Sequence, residues 1–209
     1  MHSCTSAIHD MGRKQQPKHE QYCEEDWNEV SQMPAEAYWV SKVQAERTAW
    51  QLAEELGLDV VTILPNFVLG PVISDQQAGG VSVGFMKGIL ESEASKEFKG
   101  SWIVNDVRDV AAAHILAAEE PAAKGRYIVS QPHSISASFI SSTLKAAYPA
   151  AAAVLPDGAD EDATHINSSK VQQGLGLQLT PVADTVKDMA ASLISLGIAR
   201  PVWATAAAE

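Results

Sequence analysis

A chain of 209 residues, 46% of them apolar and 20% charged, is long enough to bury a substantial core. Its formal charge of -11, with no lysine or arginine cluster, excludes nucleic acid as an expected partner, because such a field repels a phosphate backbone. No apolar run is long enough for a membrane-spanning helix, and Met1 to Ser6 is not a basic stretch followed by an apolar one. A cytoplasmic protein without a membrane partner is therefore expected.

Two cysteines, Cys4 and Cys23, are too few for a disulfide framework and too isolated for a zinc site. The six histidines never pair at i, i+4, so no metal is expected.

In chain order, Arg13 to Pro34 is polar and shows neither helical nor strand periodicity. It reads as a long loop, and such loops in compact domains tend to serve a site. From Ala37 to Leu56 apolar residues recur at helical spacing, and Gly57 supplies a stop, which predicts a helix. Asp59 to Leu64 is a short β-branched run closed by Pro65, the mark of a strand buried on both faces. Helix followed by buried strand implies a parallel sheet.

Beyond Pro71, Val81 to Leu90 reads as a helix in which Gly84 and Gly88 suggest close backbone packing. Trp102 to Val104 reads as a strand, followed by a helix through Val110 to Ala118 with Asp106 or Asp109 as its cap. Gly125 to Val129 is a second buried strand, and Ser136 to Ala147 an amphipathic helix. Ser168 or Ser169 is expected to cap a short helix, and Thr180-Pro181 to open a last helix that Gly197 ends. The class is α/β.

The chemistry sits in Tyr38-Trp-Val-Ser-Lys42, which puts a phenol and an ammonium four residues apart on one face of a helix. A lysine charge near a phenol stabilises phenolate, so the tyrosine can give up its proton as a general acid. Taken alone, the spacing is more simply read as an aromatic ring packed under a solvated lysine. The charged group Asp106, Arg108, Asp109 and His114 reads more simply as helix capping and a satisfied histidine than as a site.

Further segments add context: Pro65-Asn-Phe-Val-Leu-Gly70-Pro71, Val104-Asn-Asp-Val-Arg-Asp-Val-Ala-Ala-Ala-His114, Gly125-Arg-Tyr-Ile128, and Ser168-Ser-Lys170 with Leu175-Gly176 and Thr180-Pro181. In order and spacing they resemble the extended short-chain dehydrogenases/reductases, and among them the dihydroflavonol, cinnamoyl-CoA and aldehyde reductases. The resemblance implies the back part of a Rossmann-type dinucleotide-binding domain over residues 1–71. Residues 72–209 would form a smaller, mostly helical substrate-binding region that returns one or two strands, at about 102–129, to the sheet.

It also implies NADP(H)-dependent reduction of a small-molecule carbonyl substrate (aldehyde, ketone or thioester), with NAD(H) left open. Tyr38 would donate the proton, and Lys42 would also hold the nicotinamide ribose. Pro65 and Val68 would contact the nicotinamide end. The family's serine falls near His2 to Ile8, where Cys4 occupies the matching position; Ser3 is the favoured hydroxyl, with Thr5 and Ser6 as alternatives.

Substrate-facing residues are expected from Arg13 to Pro34, Val72 to Lys99 and Ser130 to Ser134. No glycine-rich turn between a strand and a helix occurs in the sequence, so an N-terminally incomplete chain with an exposed sheet edge is expected. Self-association through that edge, or an inactive fragment acting only by binding, are the consequences to test. A sugar-nucleotide epimerase or dehydratase, or a hydroxysteroid dehydrogenase, is the alternative activity.

Overall fold

The structure, a computed structural model, describes residues 1–10, 15–91, 98–161 and 163–205. The chain divides into two compact units. The first comprises residues 1–66, 108–132 and 165–179, and the second comprises 67–107, 133–164 and 180–209.

The first unit contains α1 (Ala37–Leu56), β1 (Val61–Pro65), most of α3 (Val107–Glu119), β5 (Gly125–Val129) and α5 (Ser169–Leu175). Strands β1 and β5 pair in parallel, Val61 opposite Gly125 through Pro65 opposite Val129. Both are buried over nearly their whole length, which is why each reads as a short, mostly apolar run, with Thr62 and Arg126 as its polar members. On the other edge of β1 the Met1–Ser3 segment adds in parallel: the Ser3 amide donates to Ile63 O at 2.8 Å and the Ile63 amide to Met1 O at 2.9 Å. Helix α1 ends as expected at Gly57, whose φ of 65° lets the Leu58 amide reach back to Ala53 O.

The second unit holds β2 (Phe67–Leu69), α2 (Val81–Leu90), β3 (Ser101–Trp102), β4 (Val104–Asp106), β6 (Ile135–Ser136), α4 (Ala137–Ala147), α6 (Val182–Ser195) and α7 (Val202–Thr205). The single strand expected over Trp102 to Val104 is two. Strand β3 pairs antiparallel with β6, and β4 pairs parallel with β2, so the chain changes partner at Ile103. The core here is formed by Leu69, Met86, Leu90, Ile140, Leu144 and Leu193 among others.

Three local expectations are corrected. A Cβ at Gly84 or Gly88 meets nothing within 4 Å, so these glycines do not mark a close backbone approach. Pro181 is itself the N-cap of α6, with no side-chain acceptor, so the proline precedes the first turn in which it was expected. Ser168 occupies the N-cap of α5 without making the capping bond, whereas Ser136 does cap α4 by accepting from the Phe139 amide.

Candidate active site

Tyr38 and Lys42 lie in the first two turns of α1, and the Lys42 Nζ sits 5.4 Å from the centroid of the Tyr38 ring. Tyr38 is 52% exposed, with Trp39 set edge-on beside it. Among the described residues the Lys42 ammonium makes no salt bridge. The side-chain partner of the Tyr38 hydroxyl is Cys4, to whose Sγ it donates over 3.8 Å.

Partial burial, and then the neighbouring thiol, push the Tyr38 phenol up to about 12 from its ordinary 10. Tyr38 is therefore a protonated phenol at neutral pH, the state from which a proton donor starts. The downward influence expected from Lys42 is not among the causes of this shift, all of which raise it.

Ser3, the hydroxyl favoured from the sequence, points elsewhere. Cys4 is extended (φ -160°, ψ 149°), and neighbouring side chains on an extended chain face opposite sides. Ser3 is 3% exposed and donates to Glu46 Oε2 at 2.7 Å in the interior, which leaves Cys4 facing Tyr38. Ser6 lies behind the thiol, with its Oγ 3.2 Å from Cys4 Sγ and its amide donating to the same sulfur. The structure thus brings Tyr38, Lys42, Cys4 and Ser6 together, and Ser3 is not among them. Pro65 is buried at the carboxyl end of β1, the end at which open parallel sheets bind ligands. Val68 belongs to β2 of the second unit.

The residues that hold this arrangement were not singled out from the sequence. Glu46 lies fully buried on α1, two turns beyond Tyr38 and one beyond Lys42. It accepts from Ser3, Thr62, Trp50 and both Nε and Nη2 of Arg126, the latter two at 2.9 and 3.2 Å. Arg126 stacks over the Trp27 ring at 4.0 Å and donates to the Glu24 and Asp26 carbonyls. The available signal was the position of Glu46 on the same helix face as Tyr38 and Lys42, where a charge needs a partner.

Within the described part of the expected substrate loop, residues 15–34, several polar side chains bind the loop's own backbone or tie it to neighbouring segments. Asp26 accepts the Lys18 and Cys23 amides, and Asn28 Nδ2 donates to the Ser6 and His9 carbonyls at 3.0 and 3.2 Å. Arg13 and Lys14, and Ser92 to Glu97 of the second expected substrate segment, lie outside the described residues. Asp106 accepts the Thr185 hydroxyl and His114 Nδ1 donates to Val110 O, in keeping with structural roles. No group of acidic, histidine or cysteine side chains that could hold a metal occurs among the described residues, and no described helix is long and apolar enough to cross a membrane.

Residues 2–130 match the family described as "NAD dependent epimerase/dehydratase family". Tetraketide alpha-pyrone reductase 1 of Arabidopsis thaliana is 35% identical over 164 residues, 77% of this chain and 48% of the relative. Dihydroflavonol 4-reductase of the same plant is 36% identical over 135 residues, 61% of this chain and 34% of the relative. A solved structure of Gre2 in complex with NADPH from Candida albicans superposes with a TM-score of 0.80 at 25% identity, covering 93% of this chain and 63% of that one. The chain thus spans about half the length of the first of these relatives, or less, and its α/β architecture is that of a Rossmann-type reductase. It belongs to the NAD dependent epimerase/dehydratase family.

Proposed function

We propose that this chain carries the proton-donating half of an NADP(H)-dependent carbonyl reductase acting on a small aldehyde, ketone or thioester in the cytoplasm. The observation that carries the reading is the pairing of a half-exposed, protonated Tyr38 with an ammonium over its ring and, among the described residues, no competing ion pair on Lys42. A bound nicotinamide nucleotide supplies the hydride. Tyr38 donates its proton to the carbonyl oxygen as negative charge develops there, and the Lys42 charge stabilises the phenolate left behind.

The residues present fit such a nucleotide. Lys42 would hold the ribose hydroxyls, while Pro65 at the end of β1 would bound the nicotinamide. The NADPH in the solved relative supports the phosphorylated form of the cofactor.

Cys4 favours a second reading, a chain that binds but turns over slowly. A thiol is a weak hydrogen-bond donor and a poor replacement for the hydroxyl that would polarise the substrate carbonyl.

The test is NADPH consumption with a panel of aromatic aldehydes and dihydroflavonol-like ketones, in a polypeptide that also includes a glycine-rich βαβ unit. We expect the chain alone to bind NADPH weakly. Tyr38→Phe should lower turnover by about 10²- to 10⁴-fold with NADPH binding retained. Unchanged turnover would exclude Tyr38 as the acid. A marked gain on Cys4→Ser would show that the thiol limits the rate.

A further inference from the structure

Both halves of the Tyr38–Cys4 contact trace back to one buried carboxylate. Tyr38 and Glu46 share the rigid face of α1, eight residues apart. Cys4 follows Ser3, whose hydroxyl is bound to Glu46 Oε2 at 2.7 Å. Because adjacent side chains on an extended segment face opposite ways, fixing Ser3 inward fixes Cys4 outward, toward the phenol.

Glu46 is itself immobilised. Arg126 grips it through two nitrogens, while Thr62 on β1 and Trp50 one turn along α1 complete its shell. A carboxylate with several donors and a bidentate guanidinium has little freedom to reorient.

We propose that Glu46 is a positioning residue: through the Ser3 hydroxyl it sets the residue-4 side chain in register with Tyr38, and so determines which group faces the substrate carbonyl. The proposal rests on the reductase reading for its functional meaning. Its geometric content can be tested without cofactor or turnover, so a failure of that reading leaves the test intact. It also accounts for the choice between Ser3 and Cys4. Whatever residue stands at position 4 is presented to the site, because the Ser3 side chain is held by Glu46 and its backbone by Ile63.

The experiment uses the whole chain and two readouts: the rate at which iodoacetamide alkylates Cys4, resolved from Cys23 by mass spectrometry of peptides, and the ultraviolet titration of Tyr38, identified by difference against Tyr38→Phe. Ser3→Ala removes one donor and leaves the Glu46–Arg126 pair in place, so the fold should persist. With this anchor gone, while the Ser3–Ile63 backbone pairing and the Ser6 contacts to the thiol remain, Cys4 should label about tenfold faster, the scale of one hydrogen bond to a charged group. The Tyr38 titration should move down from about 12 toward 10 as the thiol leaves. Ser3→Thr, which keeps the hydroxyl, should restore both values.

Thr62→Val removes a different donor to the same carboxylate without touching the Cys4 segment, and should leave both readouts unchanged. Parent-like labelling and titration in Ser3→Ala would overturn the proposal. So would an equal acceleration in Thr62→Val, which would reveal general loosening in place of registration.

Discussion

The Tyr38 hydroxyl donates to the Cys4 sulfur over 3.8 Å, a long contact that leaves the phenol protonated and facing a weak partner. Burial is the main reason the phenol resists ionisation and the thiol the second, so removing the thiol recovers only part of the shift. In Cys4→Ala, tyrosinate absorbance should show Tyr38 titrating below the parent's value of about 12 and still above 10.

The sign of the accompanying stability effect follows from the raised value. The folded state keeps a proton that the unfolded chain releases, so the contribution is intact below pH 10 and is lost as pH rises through about 12. Urea midpoints of the parent should therefore fall more steeply over that window than those of Tyr38→Phe. Parallel curves would exclude the shift.

A second prediction concerns the edge of β5 that does not face β1. There Lys170 Nζ donates to the Lys124 and Arg126 carbonyls at 3.1 and 2.7 Å, and Glu24 Oε1 accepts the Ile128 amide at 3.0 Å. Two side chains thus satisfy backbone groups that a further strand would otherwise pair, and they do so beside a cavity of about 970 Å³ that Glu24, Tyr127 and Lys170 help to line. Exposed strand edges invite pairing between chains, and blocking them suppresses it. Lys170→Met combined with Glu24→Ala should raise concentration-dependent self-association above that of the parent in sedimentation velocity. An unchanged distribution would show that other features guard this edge.

Much of this fold was legible because its elements carry local signals. The start and stop of α1 follow from its spacing and Gly57, and β1 and β5 from short, mostly apolar runs rich in β-branched and aromatic residues. Tyr38 and Lys42 were legible for the same reason, since a helix converts a four-residue spacing into contact. What escaped depends on partners distant in sequence. The role of Glu46 is set by Arg126, 80 residues away, and the inward turn of Ser3 is set by Glu46. The division of the Trp102 to Val104 run into two strands depends likewise on β6 and β2 on different sides, which a single short run cannot encode.

Gly70 offers a test in the second unit. Its φ of 123° lies outside the range that other residues adopt readily, and a Cβ there would stand 2.9 Å from Val107 Cγ1 and 3.2 Å from the Val107 amide nitrogen. Strain and collision act together, because backbone cannot move aside as a flexible side chain can. Gly70→Ala should cost about 1–3 kcal/mol in chemical denaturation. Gly84→Ala, at a position open to space in a helix, should be neutral or stabilising by up to about 1 kcal/mol. Equal effects at the two sites would contradict the geometry.

The last prediction separates charge from shape at Arg126. This side chain is 7% exposed and serves three ends at once: Glu46 through two nitrogens, the Glu24 and Asp26 carbonyls through the third nitrogen, Nη1, and the face of Trp27 at 4.0 Å. Arg126→Met keeps the volume and removes every donor, leaving the Glu46 carboxylate buried without its counter-charge; breaking a buried pair in this way costs about 3–5 kcal/mol. Arg126→Lys keeps the charge, yet one ammonium cannot reproduce a planar fork that addresses a carboxylate and two carbonyls while stacking on an indole. If the positive charge alone mattered, lysine would restore parental stability. The multiple planar contacts predict instead that lysine recovers part of the loss and remains measurably below the parent. Urea unfolding of the three proteins, followed by the fluorescence of Trp27 and its neighbours, distinguishes the two accounts.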